Sequence, residues 1–448
     1  MNPMATKITQ QSIVIIGLGQ TGLSCARFLV KKGFTVAIMD SRQQPPGLET
    51  LQQDYPEVLV KTGGFDADWL IEADMVVLSP GVDPRNEVIQ AAKQRGIEIV
   101  GDVELFTRYA NAPIIAITGS NGKSTVTTLL AEMAIEAGKQ CQVGGNLGTP
   151  TLDLIIDPAP DFYIVELSSF QLETVTSLNA FASVVLNVSP DHLDRYDSVE
   201  DYQDAKVTIF NGDGVMVLNV DDPFVSQFVQ DNRNQITFGA GADFSVTMYE
   251  GSQWLTEKGK RLIDVGSLKI IGKHNIANAL AALALGSAMA LPMSAMLTAL
   301  RRYSGLPHRC RLVARQNDIC WFNDSKATNV GACIAAIEGL SDNGNIVLIA
   351  GGLGKGQDFS ELTATLQRHV RAIILFGEDA ELIAESVPEQ CEMYSVNSLE
   401  SAVLKAREIV NTGENVVLSP ACASFDMFSG YEERGDTFEI LIKEHCLS

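Results

Sequence analysis

Residues 114–125 read Ile-Ile-Ala-Ile-Thr-Gly-Ser-Asn-Gly-Lys-Ser-Thr, an apolar run that enters a glycine-rich turn and leaves it through Lys-Ser-Thr. The apolar run predicts a buried strand, and the pattern of 126–137 predicts a helix after the turn. Backbone N–H groups of such a turn, together with the helix N-terminus, form a cradle for phosphate. Because a full Walker pattern would need glycine at Ile117, this turn is a variant of that pattern. A plain strand–turn–helix joint with a surface lysine is the alternative, and the Gly-Lys-Ser-Thr run favours the phosphate loop.

The phosphate loop predicts roles for its own side chains. Lys123 is expected to reach the terminal phosphates of ATP, and the hydroxyl of Ser124 or Thr125 is expected to hold Mg²⁺. The stretch 161–166 predicts a neighbouring buried strand that ends in Glu166, so this carboxylate is a candidate second ligand for the metal. The candidate ATP-binding residues of the loop are Gly119, Ser120, Asn121, Gly122, Lys123, Ser124 and Thr125.

A second glycine loop lies near the beginning of the chain. Gly17, Gly19 and Gly22 follow the first predicted strand and open a helix, and Asp40 ends the next strand. This is the dinucleotide fingerprint, in which backbone N–H groups and the helix dipole bind a pyrophosphate. A UDP-linked substrate fits these groups as well as NAD does. Since nothing else in the sequence indicates hydride transfer, and ATP has its own loop, we favour UDP here.

The charge balance argues against nucleic acid as a partner. Fifty-five acidic and 33 basic residues give a formal net charge of −22, which would repel a phosphate backbone. Anionic small ligands would then need a few locally placed cations. No apolar run reaches the length of a bilayer span, and the first residues lack an apolar signal core, so we expect a cytoplasmic protein. The 8 cysteines form no C-x-x-C pair, which is typical of reduced thiols.

Strand-like apolar runs alternate with helical patterns along almost the whole chain. This alternation predicts an α/β fold with parallel sheets and helices on both faces. Two boundaries are suggested: one near Gly101, before the helical stretch and the strand that lead into the phosphate loop, and one near Leu306, after the long alanine-rich helices. The segment 235–271 has short strands with glycine turns and predicts a small antiparallel addition to the middle domain. The predicted domains are 1–101, 102–306 and 307–448.

Eight motifs follow one another along essentially the whole chain, at 118–125, 166–172, 187–194, 274–280, 306–309, 323–329, 351–358 and 418–426. Together they resemble the motifs of the Mur ligase family of cell-wall amino-acid ligases, and the ordered set is far more specific than any one motif. The later motifs narrow the resemblance to the members that add D-glutamate.

The resemblance implies a Rossmann-like domain that binds UDP, a central P-loop ATPase-type domain, and a C-terminal Rossmann-like domain that binds the amino acid. It implies that D-glutamate is joined to UDP-N-acetylmuramoyl-L-alanine at the expense of ATP, through an acyl phosphate, in peptidoglycan precursor synthesis. It also implies two Mg²⁺ ions. Lys206, as a carbamate, and His192 would join Ser124, Thr125 and Glu166 as metal ligands, and Lys123 would complete the catalytic set. A monomer is expected.

The family's remaining site residues carry over onto matching positions. The uridine and pyrophosphate pocket would be lined by Leu18, Thr21, Asp40, Ser41, Arg42 and Ser79. The muramoyl-alanine end would meet Asn146, Ser168, Gln171 and His192. Outside the phosphate loop, ATP would meet Asn275, Asn278, Arg309 and Asp324. D-Glutamate would meet Thr328, Lys355, Ser424, Phe425 and Tyr431, the last at a position where the family usually has phenylalanine.

Three other functions stay open at this level. Another ligase of the same superfamily, such as the L-alanine-adding enzyme or folylpolyglutamate synthase, would share most motifs, although the 323–329 motif favours D-glutamate addition. An NAD-linked oxidoreductase would bind nicotinamide tightly and transfer hydride. A nucleotide-binding switch would release no phosphate in response to an amino acid.

Overall fold

The computed structural model describes residues 11–146, 148–189, 195–229, 233–341 and 344–446. The chain folds into two compact units. One comprises the chain up to Phe244 together with Ala281–Met296, and the other comprises Ser245–Leu280 together with the chain from Leu297 onward. Each unit is described separately.

The first unit begins with a parallel sheet built from β1 (Ser12–Ile16), β2 (Thr35–Asp40), β3 (Leu59–Thr62), β4 (Met75–Leu78) and β5 (Glu98–Gly101). Its strand order is β3-β2-β1-β4-β5, so the chain reverses direction across the sheet between β1 and β4. Ligands bind outside the carboxyl ends of strands at such a switch point. The accompanying helices are α1 (Gln20–Lys31), α2 (Leu48–Asp54), α3 (Ala67–Ile71), α4 (Glu87–Gln94) and α5 (Asp102–Tyr109).

A second parallel sheet completes the first unit. Its strands are β6 (Ile114–Thr118), β7 (Cys141–Gly145), β8 (Phe162–Glu166), β9 (Ala182–Val185), β10 (Val215–Asn219) and β11 (Gln235–Phe238). They follow the order β11-β10-β9-β6-β8-β7, with β6 buried along its whole length as a central parallel strand requires. The helices beside it are α6 (Lys123–Glu136), α7 (Ser169–Leu172) and α8 (Val199–Val207).

The two sheets of the first unit share one apolar core. Ile15 of the first sheet, Phe106 of α5 and Tyr163 of the second sheet belong to the same buried cluster. The rings of Phe106 and Tyr163 meet edge to face at 5.2 Å, an arrangement that aromatic quadrupoles favour. The sheets therefore hold their strand ends in a fixed relation within this unit.

The second unit is built on a mixed sheet with the order β15-β16-β20-β17-β18-β19. Only β15 runs antiparallel to its neighbour among the described strands of this sheet. The strands are β15 (Arg311–Gln316), β16 (Ile319–Asn323), β17 (Ile346–Gly351), β18 (Val370–Phe376), β19 (Glu392–Ser395) and β20 (Asn415–Leu418). Its helices are α11 (Val330–Leu340), α12 (Thr363–His369), α13 (Ala380–Ala384), α14 (Leu399–Ile409) and α15 (Tyr431–His445).

Strand β17 explains why this sheet carries helices on both faces. Ile346 and Leu348 pack into one buried cluster, whereas Val347 and Ile349 pack into another on the opposite side. Alternate residues of a strand point to opposite faces, so an apolar run without alternation needs cover on both.

The segment between 235 and 271 differs in part from the predicted antiparallel addition. β11 pairs in parallel with β10 and extends the second sheet, because its apolar residues continue that sheet's buried surface. The antiparallel part consists of β13 (Ser252–Glu257) and β14 (Lys260–Asp264), which follow β12 (Phe244–Tyr249). The helices α9 (Lys273–Ala288) and α10 (Met293–Arg302) come next in the chain. The predicted three-domain α/β class is confirmed, and the domain boundaries stay predictions.

Candidate active site

A cleft of about 670 Å³ opens in the first unit at the carboxyl ends of β1 and β4, at the switch point of the first sheet. Seven of the predicted substrate-binding residues line it together: Thr21, Asp40, Ser41, Arg42, Ser79, Asn146 and Gln171. The sequence analysis did not single out its other lining residues: Gln20, Pro80, Gly81, Val82, Gly145, Gly148 and Pro150, beside the loop residues Gly17 and Gly19.

Two predicted residues are placed differently. The side chain of Leu18 is fully buried in the apolar core, and Leu18 is not among the residues that line the cleft. Ser168 also lies outside the lining set, where its hydroxyl accepts the Gln171 N–H at 3.2 Å as the N-cap of α7. Each is hydrogen-bonded to a residue that does line the cleft, Leu18 to Asp40 and Ser168 to Gln171.

The first glycine loop requires its glycines sterically. Gly17 has φ +96, a left-handed conformation that favours glycine. A Cβ on Gly22 would lie 1.8 Å from the carbonyl oxygen of Gly17, so any side chain there would force the turn open. Ser79 closes the loop by donating its hydroxyl to the same carbonyl at 3.0 Å. The backbone is thereby left close to the cleft, as pyrophosphate binding needs.

The carboxylate of Asp40 holds this glycine loop in place through hydrogen bonds. One carboxylate oxygen accepts the Leu18 N–H at 2.7 Å, and both oxygens accept the guanidinium of Arg42 at 2.7 and 2.9 Å. Burial opposes ionisation, but the hydrogen bonds from Arg42 and Leu18 outweigh it and lower the pKa of Asp40 to about 2. The carboxylate is therefore ionised at neutral pH and already engaged by protein groups.

The phosphate loop lies at the carboxyl end of β6. Gly119 has φ +151 and Gly122 has φ +86, and a Cβ on Gly119 would lie 2.9 Å from the Cβ of Leu186. Gly122 is the N-cap of α6, so the helix begins directly at Lys123. The ammonium of Lys123 donates to the carbonyls of Gly119 and Ser120 at 2.8 and 3.0 Å. The lysine therefore lies over its own loop, where a phosphate would be held.

Glu166 ends β8 directly beside the phosphate loop, paired in register with Ile117. Its Oε1 accepts the amide of Asn146 at 2.7 Å. Its Oε2 is buried and has no hydrogen-bond partner among the described residues. An unpaired buried carboxylate oxygen is costly, and a hard cation is the partner that would satisfy it.

Lys206 of α8 also reaches the phosphate loop. It is only 1% exposed, so it is not an ordinary surface lysine of this helix. Its Nζ donates to the carbonyl of Gly119 at 3.2 Å and lies 4.4 Å from the ring centre of Tyr202. The Tyr202 hydroxyl is 2.9 Å from Oγ of Ser120. His192, the other predicted ligand, lies outside the described residues.

In the second unit, the strand order brings three predicted loops side by side. β16, β20 and β17 are neighbours, and their carboxyl ends lead into the segments that begin at Asp324, Ser419 and Gly352. Asp324 accepts the Cys310 N–H at 2.9 Å and the Ser419 hydroxyl at 2.8 Å. Burial raises the pKa of Asp324 to about 7.

The residues predicted for D-glutamate surround these loops. Lys355 is exposed, and its Nζ lies 5.5 Å from the ring centre of the exposed Phe425. Ser424 is buried, and Tyr431 begins α15 with Lys326 3.9 Å above its ring. The backbone N–H of Thr328 donates to the carbonyl of Lys326 at 2.8 Å.

The predicted adenine-side residues lie at the start of α9. Asn275 and Asn278 are largely buried, and the amide of Asn278 donates to Oδ1 of Asn275 at 3.4 Å. Asn275 in turn donates to the carbonyl of Ile271 at 2.8 Å. Arg309 is half-buried, and its backbone N–H donates to the carbonyl of Leu306 at 3.4 Å.

Three family models match successive parts of the chain. They describe a Mur ligase MurD-like N-terminal domain over residues 11–101, a Mur ligase middle domain over 117–286, and a Mur ligase glutamate ligase domain over 308–422. The chain belongs to the Mur ligase family. The expected resemblance is therefore confirmed.

Two Mur ligases of named organisms are similar to this chain over nearly its whole length. A UDP-N-acetylmuramoylalanine–D-glutamate ligase of Nitrosococcus oceani is 50% identical over 446 residues, which cover 99% of this chain and 98% of that protein. A protein of the same name from Pseudomonas aeruginosa is 47% identical over 437 residues, covering 96% of this chain and 97% of that protein.

Solved Mur ligase structures share the fold. A type C pseudomurein peptide ligase of Methanothermus fervidus superposes with a TM-score of 0.60 at 18% identity, covering 97% of this chain and all of that chain. A UDP-N-acetylmuramate–alanine ligase of Thermotoga maritima gives 0.59 at 19% identity, with 97% and 100% covered. In the described part of this Mur ligase, no helix is long and apolar enough to cross a membrane.

One residue of this Mur ligase that the sequence analysis missed is Arg434. It is fully buried in α15, and its guanidinium donates to the hydroxyl of Ser325 at 2.9 Å and to the carbonyls of Cys422 and Ala423 at 3.1 and 3.3 Å. Burial lowers the pKa of Arg434 to about 10, which leaves it charged at neutral pH. An arginine within an otherwise acidic helix start gives no signal in sequence that it faces inward.

Proposed function

We propose that this Mur ligase joins the amine of D-glutamate to the alanyl carboxylate of UDP-N-acetylmuramoyl-L-alanine, with ATP as the energy source, in peptidoglycan precursor synthesis. The observation that carries the proposal is full-length similarity, at 47–50% identity, to proteins named for that reaction. Two separate glycine loops, each between a buried strand and a helix, support it, because the reaction needs both a UDP-linked acceptor and ATP.

The cleft in the first unit is proposed to bind the acceptor. The glycine loop, Ser41, Arg42 and Ser79 would hold the uridine diphosphate, and Asn146 and Gln171 would face the muramoyl-alanine end. Asp40 argues against NAD, because a dinucleotide fold uses this acid to bind a ribose hydroxyl. Here both of its oxygens are engaged by Leu18 and Arg42. Asp40 would instead fix the loop and orient Arg42.

The phosphate loop is proposed to bind ATP together with Mg²⁺. The unpaired oxygen of Glu166, on the strand next to the one that leads into the phosphate loop, provides the hard anionic donor that this cation prefers, and Ser124 or Thr125 would supply a hydroxyl ligand. Two ions are proposed, with His192 and Lys206 completing the ligands. When bound, the metal would neutralise charge on the phosphates.

Lys206 is proposed to be carbamylated. An ammonium cannot ligate a metal, since it has no lone pair, whereas reaction of the neutral amine with CO₂ gives an anion with acceptor oxygens. The position of Lys206 supports this, because its Nζ is buried beside the phosphate loop where the metal is proposed. Lys206→Ala should be nearly inactive, and acetate should restore part of the turnover by filling the vacated anionic position. A variant that retains near-wild-type turnover without acetate would refute the carbamate.

The chemistry then requires positioning more than covalent catalysis. The carboxylate attacks the γ-phosphoryl group, which gives an acyl phosphate and ADP, and the amine then displaces phosphate from the acyl carbon. Lys123, Arg309 and the loop N–H groups would neutralise the charge that develops on the transferred group. Asn275, Asn278 and Asp324 are proposed to orient the nucleoside.

The loops at the ends of β16, β20 and β17 are proposed to hold D-glutamate, which presents two carboxylates. Lys355 supplies an exposed cation, and Thr328, Ser424, Phe425 and Tyr431 would complete the pocket. We also propose domain boundaries at 1–101, 102–306 and 307–448, a monomer and a cytoplasmic location. The family-model limits at 101 and 308 support the boundaries.

The experiment is phosphate release with each component omitted in turn. Release should require ATP, Mg²⁺, the UDP-linked acceptor and D-glutamate together. Turnover with L-glutamate or L-alanine equal to that with D-glutamate would refute the assigned specificity. Release that needs no amino acid would favour a nucleotide switch.

A further inference from the structure

Asp102 is a buried acid that is not among the predicted site residues and has no part in the proposed mechanism. It is the first residue of α5, directly after the carboxyl end of β5, and is 2% exposed. Its Oδ2 accepts the side-chain amide of Gln171 at 3.2 Å and the hydroxyl of Thr151 at 3.1 Å. One carboxylate oxygen therefore joins two segments that are distant in sequence.

Both segments form walls of the acceptor cleft. Gln171 lines the cleft itself, and Thr151 directly follows Pro150, which lines it on the side of Asn146. Asp102 is not a lining residue, so it acts from behind these walls. Its position fixes the distance between Gln171 and the opposite wall, which Asn146, Gly148 and Pro150 form.

The orientation of the Gln171 amide follows from its other partners. Its Oε1 accepts the backbone N–H of Ser168 at 3.1 Å and lies 3.2 Å from the Ser168 hydroxyl. A backbone N–H can only donate, so the oxygen must face Ser168 and the NH₂ group must face Asp102. Without Asp102 this amide, 4% exposed, would lose its acceptor and the restraint on its terminal torsion.

The carboxylate is held at a cost in stability. Oδ1 of Asp102 is buried without a partner among the described residues, and burial raises the pKa of Asp102. Asparagine in this place would still offer one oxygen to Gln171 and Thr151 and would carry no charge. The geometry at Oδ2, rather than the charge, is what the cleft walls require.

We propose that Asp102 is a positioning residue for the part of the acceptor beyond UDP: it holds Gln171 and the wall formed by Asn146, Gly148 and Pro150 in the arrangement that binds the muramoyl-alanine end. This inference rests on the proposed function, because it takes the UDP-linked acceptor as the ligand of the cleft. The proposed role does not require Asp102 to contact the glycine loop.

Calorimetry with two ligands on wild-type and variant proteins tests the inference. Asp102→Ala should bind UDP as wild type does, but should bind the complete acceptor roughly 10-fold more weakly, equivalent to about 1.4 kcal/mol. KM for the acceptor should rise by a similar factor, with KM for ATP and D-glutamate unchanged. Asp102→Asn should restore acceptor affinity to within about 2-fold of wild type, since one well-placed oxygen suffices.

Glu104 provides the matched control. It lies in the same helix, is fully buried, and accepts the N–H groups of Thr176 and Ser177 at 2.8 and 2.9 Å rather than any cleft-lining group. Glu104→Gln should lower the unfolding temperature without changing the ratio of acceptor to UDP affinity. A lower ratio of acceptor affinity to UDP affinity in this control would mean that the overall stability of the fold, and not Asp102, sets acceptor affinity. That result would overturn the inference.

Thr151→Val keeps the test decisive if Asp102→Ala fails to fold. This variant removes one of the two hydrogen-bond donors to Asp102 while keeping a side chain of similar volume. Its affinity for the complete acceptor should fall by about 2- to 3-fold with UDP affinity unchanged, in a protein that unfolds in a single transition. Folded variants that bind acceptor and UDP as wild type does would overturn the role of Asp102. Wild-type protein that binds UDP no less tightly than the acceptor would instead refute the proposed acceptor site itself.

Discussion

At the scale of single residues, Asp40 shows which part of a site the sequence predicts. Its position at the end of β2 predicts a place in the ligand cleft, which it lines, whereas its hydrogen bonds with Leu18 and Arg42 were not predicted. Sequence places the acid at the strand end, because strand periodicity is local. Its partners depend on how the loop after β1 returns over the sheet, which local patterns do not encode.

Asp40 also gives a pH-dependent prediction. Its folded-state pKa is lowered to about 2, so it contributes stability that is fully present above its unfolded value and is lost as pH falls through the folded value. Asp40→Asn should therefore be less stable than wild type at pH 7, by about 1–3 kcal/mol for a charged hydrogen-bonded group. Urea unfolding between pH 7 and pH 2 should show that difference shrinking below about pH 4. A difference that is constant across the range would contradict this assignment.

Asp102 and Arg434 mark the limit of sequence reasoning at this scale. Both are charged residues at helix starts, where solvent exposure is the ordinary expectation. Their burial results from packing between elements far apart in the chain, such as α5 against α7 and α15 against the loop after β20. Lys206 was the opposite case, since the family resemblance, not its helix, predicted an inward position.

At the scale of elements, the two glycine loops were predictable because each follows a buried strand and opens a helix. The parallel strands β1, β6, β8 and β17 were predictable for the same reason, as short apolar runs. Strands such as β7, with two glycines and partial exposure, gave no such signal and were missed. β11 was predicted as part of an antiparallel addition, because a short strand does not reveal the direction of its neighbour.

Two glycines of the first loop provide a matched pair of variants. Gly22→Ala places a Cβ 1.8 Å from the Gly17 carbonyl oxygen, whereas Gly19→Ala meets nothing within 4 Å. Gly22→Ala should destabilise the protein by about 1–3 kcal/mol, as overpacking does, and weaken UDP binding with it. Gly19→Ala should melt within about 1 °C of wild type. Scanning calorimetry decides, and equal unfolding temperatures for the two variants would contradict the loop geometry.

At the scale of the whole molecule, the alternation of strands and helices was sufficient to predict an α/β class with parallel sheets. The ordered motifs predicted the family, and full-length comparisons confirmed it. The division into two compact units was not predicted. The first two sheets were expected in separate domains, but they share one core through Phe106 and Tyr163 and so belong to one unit. The net charge of −22 likewise says nothing of where the few cations lie. Lys123, Arg42 and Lys355 each lie within a few residues after the carboxyl end of a strand, where an anionic ligand is proposed.

The central claim is that a carboxylate is activated by phosphorylation and then captured by D-glutamate. The most direct measurement uses acceptor in which both oxygens of the alanyl carboxylate are ¹⁸O. Mass spectrometry then follows the label into inorganic phosphate and into the glutamyl product. One ¹⁸O should appear in inorganic phosphate and the other in the new amide for each D-glutamate joined, and Lys123→Ala should produce neither. Inorganic phosphate free of ¹⁸O, formed while the glutamyl product accumulates, would contradict the account.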